Sequence, residues 1–324
     1  ALAGHLSCRG TVRITPPLSH GAPQLDLAVV AALAGPIGPE TIVAGELGMD
    51  GTVRRVRGAV SAALAGKRLI LGRDDAATCA ALEFGNVWGV NSIEDYLDSS
   101  GSAFRRPNAT EVALARGIPR DVPTMAEIKN EDIVRQVTAA VKANENILLM
   151  GPPGLGKTMI GRRIGGLLPP LSRSAMVRVN QIYSATGLLS GGIATERPFR
   201  APHHTISVAG LVGGGKPRRP GEVTLAHHGV LFLDELPEFS GLALEAVKSA
   251  MRAKDAHNMP AKFLLVATAN PCPCGWHGSH VRKCSCSPGA LTRYHKRIEI
   301  LQPFFDVLID IPSMTIAELR ATGE

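Results

Sequence analysis

A glycine-rich stretch carries the clearest chemistry in the sequence. It reads Gly151-Pro152-Pro153-Gly154-Leu155-Gly156-Lys157-Thr158 and fits the pattern G-x-x-x-x-G-K-[ST] at every specified position. Backbone N–H groups of such a loop attract phosphate oxygens. A lysine in this place reaches the β- and γ-phosphates, and a threonine hydroxyl ligates Mg²⁺. The stretch, which we call the P-loop, therefore predicts a site for ATP and Mg²⁺.

The flanking residues supply the context that such a loop needs. Asn146 to Met150 is a short apolar run that predicts a buried strand. Met159 to Leu168 has apolar residues at helical spacing and is closed by Pro169-Pro170. Strand, glycine loop and helix together favour a nucleotide site over a glycine-rich turn that binds nothing.

Two further apolar runs end in polar side chains. Gly229 to Leu233 precedes Asp234 and Glu235, and Lys262 to Ala269 precedes Asn270. Because the carboxyl ends of parallel strands meet at one edge of a sheet, these groups are expected beside the P-loop. Asp234 would hold Mg²⁺, mostly through water, and Glu235 would polarise the attacking water as general base. Asn270 would contact the γ-phosphate or that water.

Each of these side chains also has an ordinary structural explanation. A carboxylate pair after a strand is typical of an acidic helix start, and an asparagine at a strand end is typical of a turn. The order along the chain favours the functional interpretation. It predicts an α/β fold, in which a P-loop parallel sheet carries helices on both faces.

Four of the six cysteines cluster in sequence, at Cys272, Cys274, Cys284 and Cys286. Four thiolates can close a tetrahedral Zn²⁺ site, although Cys-x-Cys is tighter than the common Cys-x-x-Cys spacing. Free reduced thiols and a pair of disulfides are the alternatives. A Zn²⁺ ion here would fix the loop after Asn270 and would do no chemistry itself.

Composition excludes several classes of protein. Of the 324 residues, 45% are hydrophobic and 19% are charged, which is typical of globular proteins. The sequence has no run of eighteen apolar residues, so we expect no membrane span. The few cysteines favour a reducing, cytoplasmic setting. Because the chain begins with Ala1, without a methionine, we expect a fragment or a processed product.

The net charge of +7 permits a polyanionic partner without requiring one. Part of the positive charge lies in two groups that predict a DNA surface, with solvated loops as the alternative. The first group is Arg197, Arg200, Lys216, Arg218 and Arg219. The second group is Arg282, Lys283, Arg293, Lys296 and Arg297.

The patterns divide the chain into three parts. Residues 1–98 alternate short apolar runs with helical patterns, which predicts a small α+β domain. Residues 99–124 are polar and broken by proline and glycine, so they are expected to be a linker. Residues 125–324 form the second domain, which begins with a helix over Asn130 to Ala143 and holds the P-loop.

Several stretches of the second domain resemble the magnesium-chelatase-like AAA+ ATPase family, and its ComM/YifB type in particular. The resemblance covers residues 125–300. The stretches are Phe199-Arg200-Ala201-Pro202-His203-His204-Thr205, Leu211-Val212-Gly213-Gly214-Gly215, Pro220-Gly221-Glu222, Leu225-Ala226-His227, Leu233-Asp234-Glu235-Leu236-Pro237-Glu238-Phe239 and Ala269-Asn270-Pro271-Cys272-Pro273-Cys274-Gly275.

The resemblance implies a ring, a hexamer, with ATP at the subunit interfaces. It implies action on DNA as well, in branch migration during natural transformation. Chelatase relatives instead use ATP to help insert Mg²⁺ into a porphyrin. The loops over residues 187–221 would be inserts that reach into a central pore.

The first domain is similar to the Lon-protease-like domain of the same family, incomplete at its N-terminus. Registered on the Lon pattern, Val60 stands where the lysine base would be, and the segment His20 to Leu25 has no hydroxyl for the nucleophile. Without this Ser-Lys dyad the domain is expected to serve docking or assembly.

The sequence departs from the family after the cysteines. The family segment Gly-Pro-Leu-Leu-Asp-Arg-Ile-Asp aligns with Gln302 to Asp310, so Val307 stands in the place of the arginine finger. The family's C-terminal helical lid would also follow Glu324.

Three hypotheses remain: a Mg-dependent ATPase acting on DNA, a nucleotide-binding module or regulatory subunit with little hydrolysis, and a chelatase-type ATPase subunit. Whether the chain is an ATP hydrolase stays open at this point.

Overall fold

A computed structural model describes residues 25–34, 38–98, 105–116, 123–128, 130–189, 192–216 and 218–312. The helices within these ranges, in chain order, are α1 (Asp26–Ala34), α2 (Ala59–Ala63), α3 (Arg73–Ala81), α4 (Ile93–Leu97), α5 (Ala109–Arg116), α6 (Glu131–Ala143), α7 (Lys157–Arg163), α8 (Arg173–Thr186), α9 (Val208–Val212), α10 (Glu222–Leu225), α11 (Gly241–Ala253) and α12 (Pro288–Leu301).

The strands are mostly short. In chain order they are β1 (Thr41–Val43), β2 (Glu46–Leu47), β3 (Val53–Arg54), β4 (Arg68–Gly72), β5 (Val87–Val90), β6 (Ile147–Met150), β7 (Phe199–Arg200), β8 (Val230–Leu233), β9 (Asp255–Ala256), β10 (Met259–Pro260), β11 (Leu264–Ala269) and β12 (Val307–Asp310).

The chain divides into two compact units, each made from two stretches of sequence. The first unit comprises Ala1–Pro119 and Ser172–Thr195, and the second comprises Arg120–Leu171 and Glu196–Glu324. This division differs from the predicted boundaries, because residues 172–195 were expected in the second domain. Helix α8 within that stretch contributes its buried residues to the first unit and packs on α2.

The predicted linker also differs from the structure, since it contains α5. Asn108 Oδ1 accepts the N–H of Glu111 at 2.9 Å, which caps this helix. Glu111 forms an ion pair with Arg73, and Ala115 is buried in a core of the first unit. Proline and glycine residues flank the helix, and they gave the whole stretch a broken appearance in the sequence.

A five-stranded parallel sheet organises the second unit. Its strand order is β12–β6–β11–β8–β7. Alternate residues of the central strands β6, β8 and β11 enter different cores. In β8, Leu231 and Leu233 pack in one core, and Val230 and Phe232 pack in the other. All four of these β8 side chains are fully buried. Since apolar side chains cover both faces, the strands appear in sequence as continuous apolar runs, as predicted.

Helix α6 confirms the helix expected ahead of the P-loop. The Asn130 side chain accepts the N–H of Ile133 at 3.1 Å and caps the start. The helix ends where Asn144 adopts a left-handed conformation, at φ 58°. Its buried face, which includes Val137 and Val141, packs in the same core as β6. The helix is therefore fixed to the strand that delivers the P-loop.

The first unit contains a parallel sheet of order β1–β4–β5 and an antiparallel pair, β2 with β3. Leu69 and Leu71 of β4 face one apolar core, and Ile70 faces the other. The helix expected near Leu25 to Ala34 is confirmed as α1. No helix of the described residues combines the length and apolar character needed to cross a membrane.

Candidate nucleotide-binding site

The P-loop connects β6 to α7 at the carboxyl end of the sheet. Gly154 and Gly156 have φ angles of +83° and +77°, a left-handed conformation that glycine adopts without steric cost. Helix α7 begins at Lys157 and continues as a 3₁₀ turn over Ile164–Leu167. The helix predicted over Met159 to Leu168 is thus α-helical only in its first part.

Lys157 folds back into its own loop. Its Nζ donates to the carbonyl oxygens of Gly151 at 2.7 Å and Pro152 at 2.6 Å. Burial lowers the pKa of this ammonium, and the charges of Asp234 and Glu235 oppose the shift. A phosphate group would offer full negative charge where the loop now offers only carbonyl dipoles, so Lys157 is placed to exchange these partners.

Asp234 follows β8, and its carboxylate contacts both Thr158 of the P-loop and Thr268 of β11. Both of its carboxylate oxygens lie 3.0 Å from the Thr158 hydroxyl. The Thr268 hydroxyl donates to Asp234 Oδ1 at 2.6 Å. A threonine hydroxyl and a carboxylate this close are oxygen ligands of the kind that Mg²⁺ takes in nucleotide sites.

Glu235 occupies a constrained backbone position beside Asp234. Its φ angle of 54° is left-handed, and its N–H is held by the Thr268 hydroxyl at 2.9 Å. The carboxylate is 60% exposed and lies 3.9 Å from His204 Nδ1. Its solvent exposure gives it access to a water molecule, as a general base requires.

The predicted groups line one cleft of ≈ 510 Å³. Pro153, Gly154, Gly156, Lys157 and Thr158 of the P-loop form one wall. Asp234, Glu235 and Asn270 come from the carboxyl ends of β8 and β11. Parallel pairing of β11 with both β6 and β8 puts these strand ends side by side.

Three polar lining residues were missed in the sequence: Thr268, Arg162 and Arg163. Thr268 is 1% exposed and is the sole hydroxyl of β11. A hydroxyl inside an otherwise apolar strand is a usable signal, because it must find a hydrogen-bond partner when buried. Arg163 forms an ion pair with Glu127, whereas the exposed Arg162 faces the cleft.

The four clustered cysteines come together as a compact sulfur site. One potential ligand atom from each of Cys272, Cys274, Cys284 and Cys286 lies within 4.8 Å of all the others. The Sγ separations are 3.4 Å for Cys272–Cys274, 3.6 Å for Cys274–Cys284 and 3.7 Å for Cys272–Cys284. A tetrahedron with Zn–S bonds of about 2.3 Å has edges of about 3.8 Å.

Backbone N–H groups favour the ionised form of the Cys274 thiol, whereas desolvation and hydrogen bonds with neighbouring thiols raise the pKa of Cys284 and Cys286. The N–H groups of Ser285 and Trp276 lower the pKa of the Cys274 thiol to about 5. The Cys272 Sγ accepts the N–H of His277 at 3.2 Å. Thiolate is the form of cysteine that binds metals.

Val307 is the first residue of the edge strand β12. It pairs with Ile147, and Asp310 pairs with Met150 next to the P-loop. Val307 thus lies at the opposite end of the sheet from the cleft, and its partly buried side chain packs on the core. The sequence has no arginine or lysine from Ile298 through Leu319.

The basic groups are only partly available to a partner. In the first group, Arg197 donates to the carbonyls of Pro169 and His228, and Arg200 forms an ion pair with Glu222. The other members of that group are exposed: Lys216, Arg218 and Arg219. All five residues of the second group are exposed, and Arg297 also donates to the carbonyl of Pro237 at 2.7 Å.

Residues 124–319 match the family described as magnesium chelatase, subunit ChlI. The matched span is more than half of the chain and contains the P-loop, both carboxylates, Asn270 and the four cysteines. The chain belongs to the magnesium-chelatase-like AAA+ family. The five-stranded parallel sheet and its P-loop are the corresponding AAA+ fold.

Curated relatives assign the chain to the ComM/YifB type of this family. YifB of Escherichia coli K12 is 37% identical over 292 residues, which are 83% of this chain and 55% of YifB. Competence protein ComM of Haemophilus influenzae is 33% identical over 303 residues, which are 86% of this chain and 58% of ComM. The chain therefore spans about half the length of the curated relatives that it matches.

A solved complex between magnesium chelatase subunits BchI and BchD is also similar. It aligns with 60% of this chain and 62% of its own chain, at 17% identity and a TM-score of 0.37.

Proposed function

We propose that the cleft beside the P-loop binds ATP with Mg²⁺ and hydrolyses it, and that hydrolysis drives work on DNA. One observation carries the proposal: Lys157, Thr158, Asp234, Glu235 and Asn270 line the same cleft, although they come from distant parts of the sequence. Phosphoryl transfer depends mainly on such positioning and on charge stabilisation.

The P-loop would bind the nucleotide's phosphates through its N–H groups. Lys157 would leave the carbonyls of Gly151 and Pro152 and donate to β- and γ-phosphate oxygens. Thr158 and Asp234 would hold Mg²⁺, which neutralises charge on the phosphate oxygens when bound. Thr268 keeps Asp234 oriented toward Thr158 by its hydrogen bond.

Glu235 would take a proton from the attacking water through its exposed carboxylate. Asn270 lines the same cleft and would orient that water or the γ-phosphate through its amide. A general base contributes about 10²–10⁴-fold to a rate, so loss of Glu235 would stop turnover while leaving the phosphate-binding wall intact.

DNA is the proposed partner. The name of the relative ComM connects that protein with competence. In this chain, exposed Lys216, Arg218 and Arg219 form one basic loop, and exposed Arg282 and Lys283 belong to another. Such side chains bind phosphate backbones without sequence preference and with strong salt dependence.

We further propose that copies of the chain form a ring, a hexamer, with ATP between neighbours. Family membership supports this assembly, and the loops within residues 187–221 are the candidates for lining a pore.

The first unit is proposed to be a Lon-protease-like docking element. Val60, at the place of the Lon lysine, is an apolar residue fully buried in α2. The segment His20 to Gln24, where the nucleophile would be, lies outside the described residues.

A second metal belongs to the proposal, namely Zn²⁺ on Cys272, Cys274, Cys284 and Cys286. The sulfur separations of 3.4–3.7 Å approach the edges of a zinc tetrathiolate, which supports this assignment. A zinc thiolate site persists in a reducing compartment, so we place the protein in the cytoplasm. Metal content measured on the reduced chain, beside Cys272→Ser, tests the site.

ATP turnover is the deciding measurement. The chain, Lys157→Ala and Lys248→Ala are compared with and without branched DNA. Lys248 forms a surface ion pair with Glu245, so its loss should change little. We expect ATP turnover that requires Lys157, is retained in Lys248→Ala and rises when DNA is added. Turnover that is absent under both conditions, in a chain that binds ATP, would reject the motor.

One observation favours a second candidate, a nucleotide-binding module with little hydrolysis. The segment aligned with the arginine finger has no basic residue, and Val307 packs on the core. An arginine finger contributes about 10³–10⁵-fold to turnover. This candidate predicts ATP affinity that depends on Lys157, with turnover unchanged by DNA. A chelatase-type subunit would instead respond to a porphyrin-binding partner.

A further inference from the structure

The loop that carries the four cysteines packs directly against the P-loop. Gly275 is buried, and a Cβ atom added to it would lie 2.4 Å from Cδ and 3.0 Å from Cγ of Pro153. These distances are well inside a normal carbon–carbon contact of about 3.5 Å. The backbone of the cysteine loop therefore forms one of the surfaces that fix Pro153 within the P-loop.

The same loop is connected to Asn270 at its start. Cys272 lies two residues after Asn270 and is fully buried. His295 Nε2 lies 2.9 Å from the carbonyl oxygen of Pro271, the residue directly after Asn270. The sulfur site thus contacts the cleft from two directions, at Pro153 and at Asn270.

Regular structure does not hold this loop in place. From Asn270 to Ser287 the chain forms neither helix nor strand. The four sulfurs, which converge within 4.8 Å, are the feature that closes it. Binding free energy at a thiolate metal site stabilises the conformation that forms the site.

We propose that a metal ion on the Cys272–Cys274–Cys284–Cys286 cluster sets the nucleotide affinity of the P-loop, by holding Gly275 against Pro153 and Cys272 behind Asn270. Zn²⁺ fits the four sulfur ligands. The inference rests on the proposed nucleotide-binding function. It adds that nucleotide affinity depends on whether the cysteine cluster holds a metal ion. It requires no chemistry at the metal and no DNA.

Two glycines of the loop provide a matched pair of variants. Gly275 and Gly278 have φ angles of +84° and +76°, so alanine at either position carries a similar backbone strain. A Cβ at position 278 meets nothing within 4 Å, whereas a Cβ at position 275 meets the Pro153 ring. A difference between Gly275→Ala and Gly278→Ala therefore reports the contact with the P-loop.

The first experiment measures zinc content and the affinity for a fluorescent ADP analogue in excess Mg²⁺. The whole chain is compared with Gly275→Ala and Gly278→Ala. We expect all three to retain one Zn²⁺, and Gly275→Ala to bind nucleotide about tenfold more weakly, a change of about 1.4 kcal/mol. Gly278→Ala should stay close to the unaltered chain. Equal affinities in the two zinc-loaded variants would overturn the proposal.

The second experiment removes the metal from the unaltered chain. A zinc-selective chelator is applied in excess Mg²⁺, folding is followed by circular dichroism, and Zn²⁺ is then restored. We expect nucleotide affinity to fall by about tenfold or more and to return with Zn²⁺. Unchanged affinity in metal-free protein would overturn the inference alone. A reduced chain that never holds metal would overturn the inference together with the proposed Zn²⁺ site, and would leave the nucleotide-binding proposal standing. A zinc-loaded chain that binds no nucleotide would overturn the proposed function.

Discussion

Thr268 positions both carboxylates of the cleft with one hydroxyl group. It donates to Asp234 Oδ1 at 2.6 Å and accepts the N–H of Glu235 at 2.9 Å. Asp234 is thereby turned toward Thr158, and Glu235 is held in its left-handed conformation. The buried end of β11 thus determines where the metal ligand and the general base lie.

Replacing Thr268 with valine should disturb the positions of both Asp234 and Glu235. The shape is nearly conserved, but Asp234 and the N–H of Glu235 each lose a partner, at a cost of about 1–3 kcal/mol. We expect about tenfold or greater loss of ATP turnover and lower thermal stability, both largely restored in Thr268→Ser. Turnover in steady state and thermal melts measure these effects.

Thr224 offers the matched control for that substitution. It is 1% exposed, and its hydroxyl has no hydrogen-bond partner among the described residues. Thr224→Val should therefore leave turnover unchanged and should be neutral or stabilising, because it removes an unsatisfied buried polar group. Equal losses in Thr224→Val and Thr268→Val would mean that the Thr268 hydroxyl has no specific role.

Glu235→Gln should separate binding from hydrolysis. The amide keeps the shape but cannot accept a proton, so turnover should fall by about 10²–10⁴-fold while ATP affinity is retained. Glu238→Gln is the control, since Glu238 is exposed three residues further along. Filter binding of ATP and steady-state turnover give the two quantities. A Glu235→Gln chain that hydrolyses ATP at the normal rate would assign the base elsewhere.

Much of this cleft follows from local sequence. The P-loop pattern fixes the turn, and the apolar runs before Asp234 and before Asn270 predict buried strands. Parallel alignment then brings their carboxyl ends together, as β6, β11 and β8 show. Each step depends on short-range patterns and on one rule of sheet geometry, so sequence reasoning was sufficient to predict the grouping.

Other features depend on contacts that no local pattern contains. The partners of Thr268 are 33 and 34 residues away along the chain, so its role appears only once the strands are paired. Helix α8 has an ordinary mixture of polar and apolar residues, and nothing in its own sequence says which unit it joins. The contact between Gly275 and Pro153 is similarly a product of the folded chain.

Nucleotide affinity should decrease with rising pH because of Lys157. Burial lowers the pKa of its ammonium below the ordinary value of 10.5. The protonated form attracts phosphate, so affinity should be full near neutral pH and should fall before pH 10.5 is reached. Binding of ADP without Mg²⁺, followed against pH, measures this change. The weaker binding of Lys157→Met should lack the pH-dependent loss, and an identical loss in that variant would assign it to another group.

Asn180 should hold the end of the stretch 172–195 against helix α8, because its hydrogen-bond partners Met176 and Ala194 lie within that stretch. It is fully buried; its Nδ2 donates to the carbonyls of Met176 and Ala194 at 2.9 and 2.8 Å, and its Oδ1 accepts the N–H of Ala194 at 2.7 Å. Asn180→Ala leaves buried backbone groups without partners and should destabilise this unit by about 3 kcal/mol. The neighbouring Gln181→Ala should cost little. Thermal unfolding and limited proteolysis compare the variants, while nucleotide affinity should be the same in both because the cleft lies in the other unit. Equal unfolding temperatures for the two variants would show that Asn180 does not secure residues 172–195.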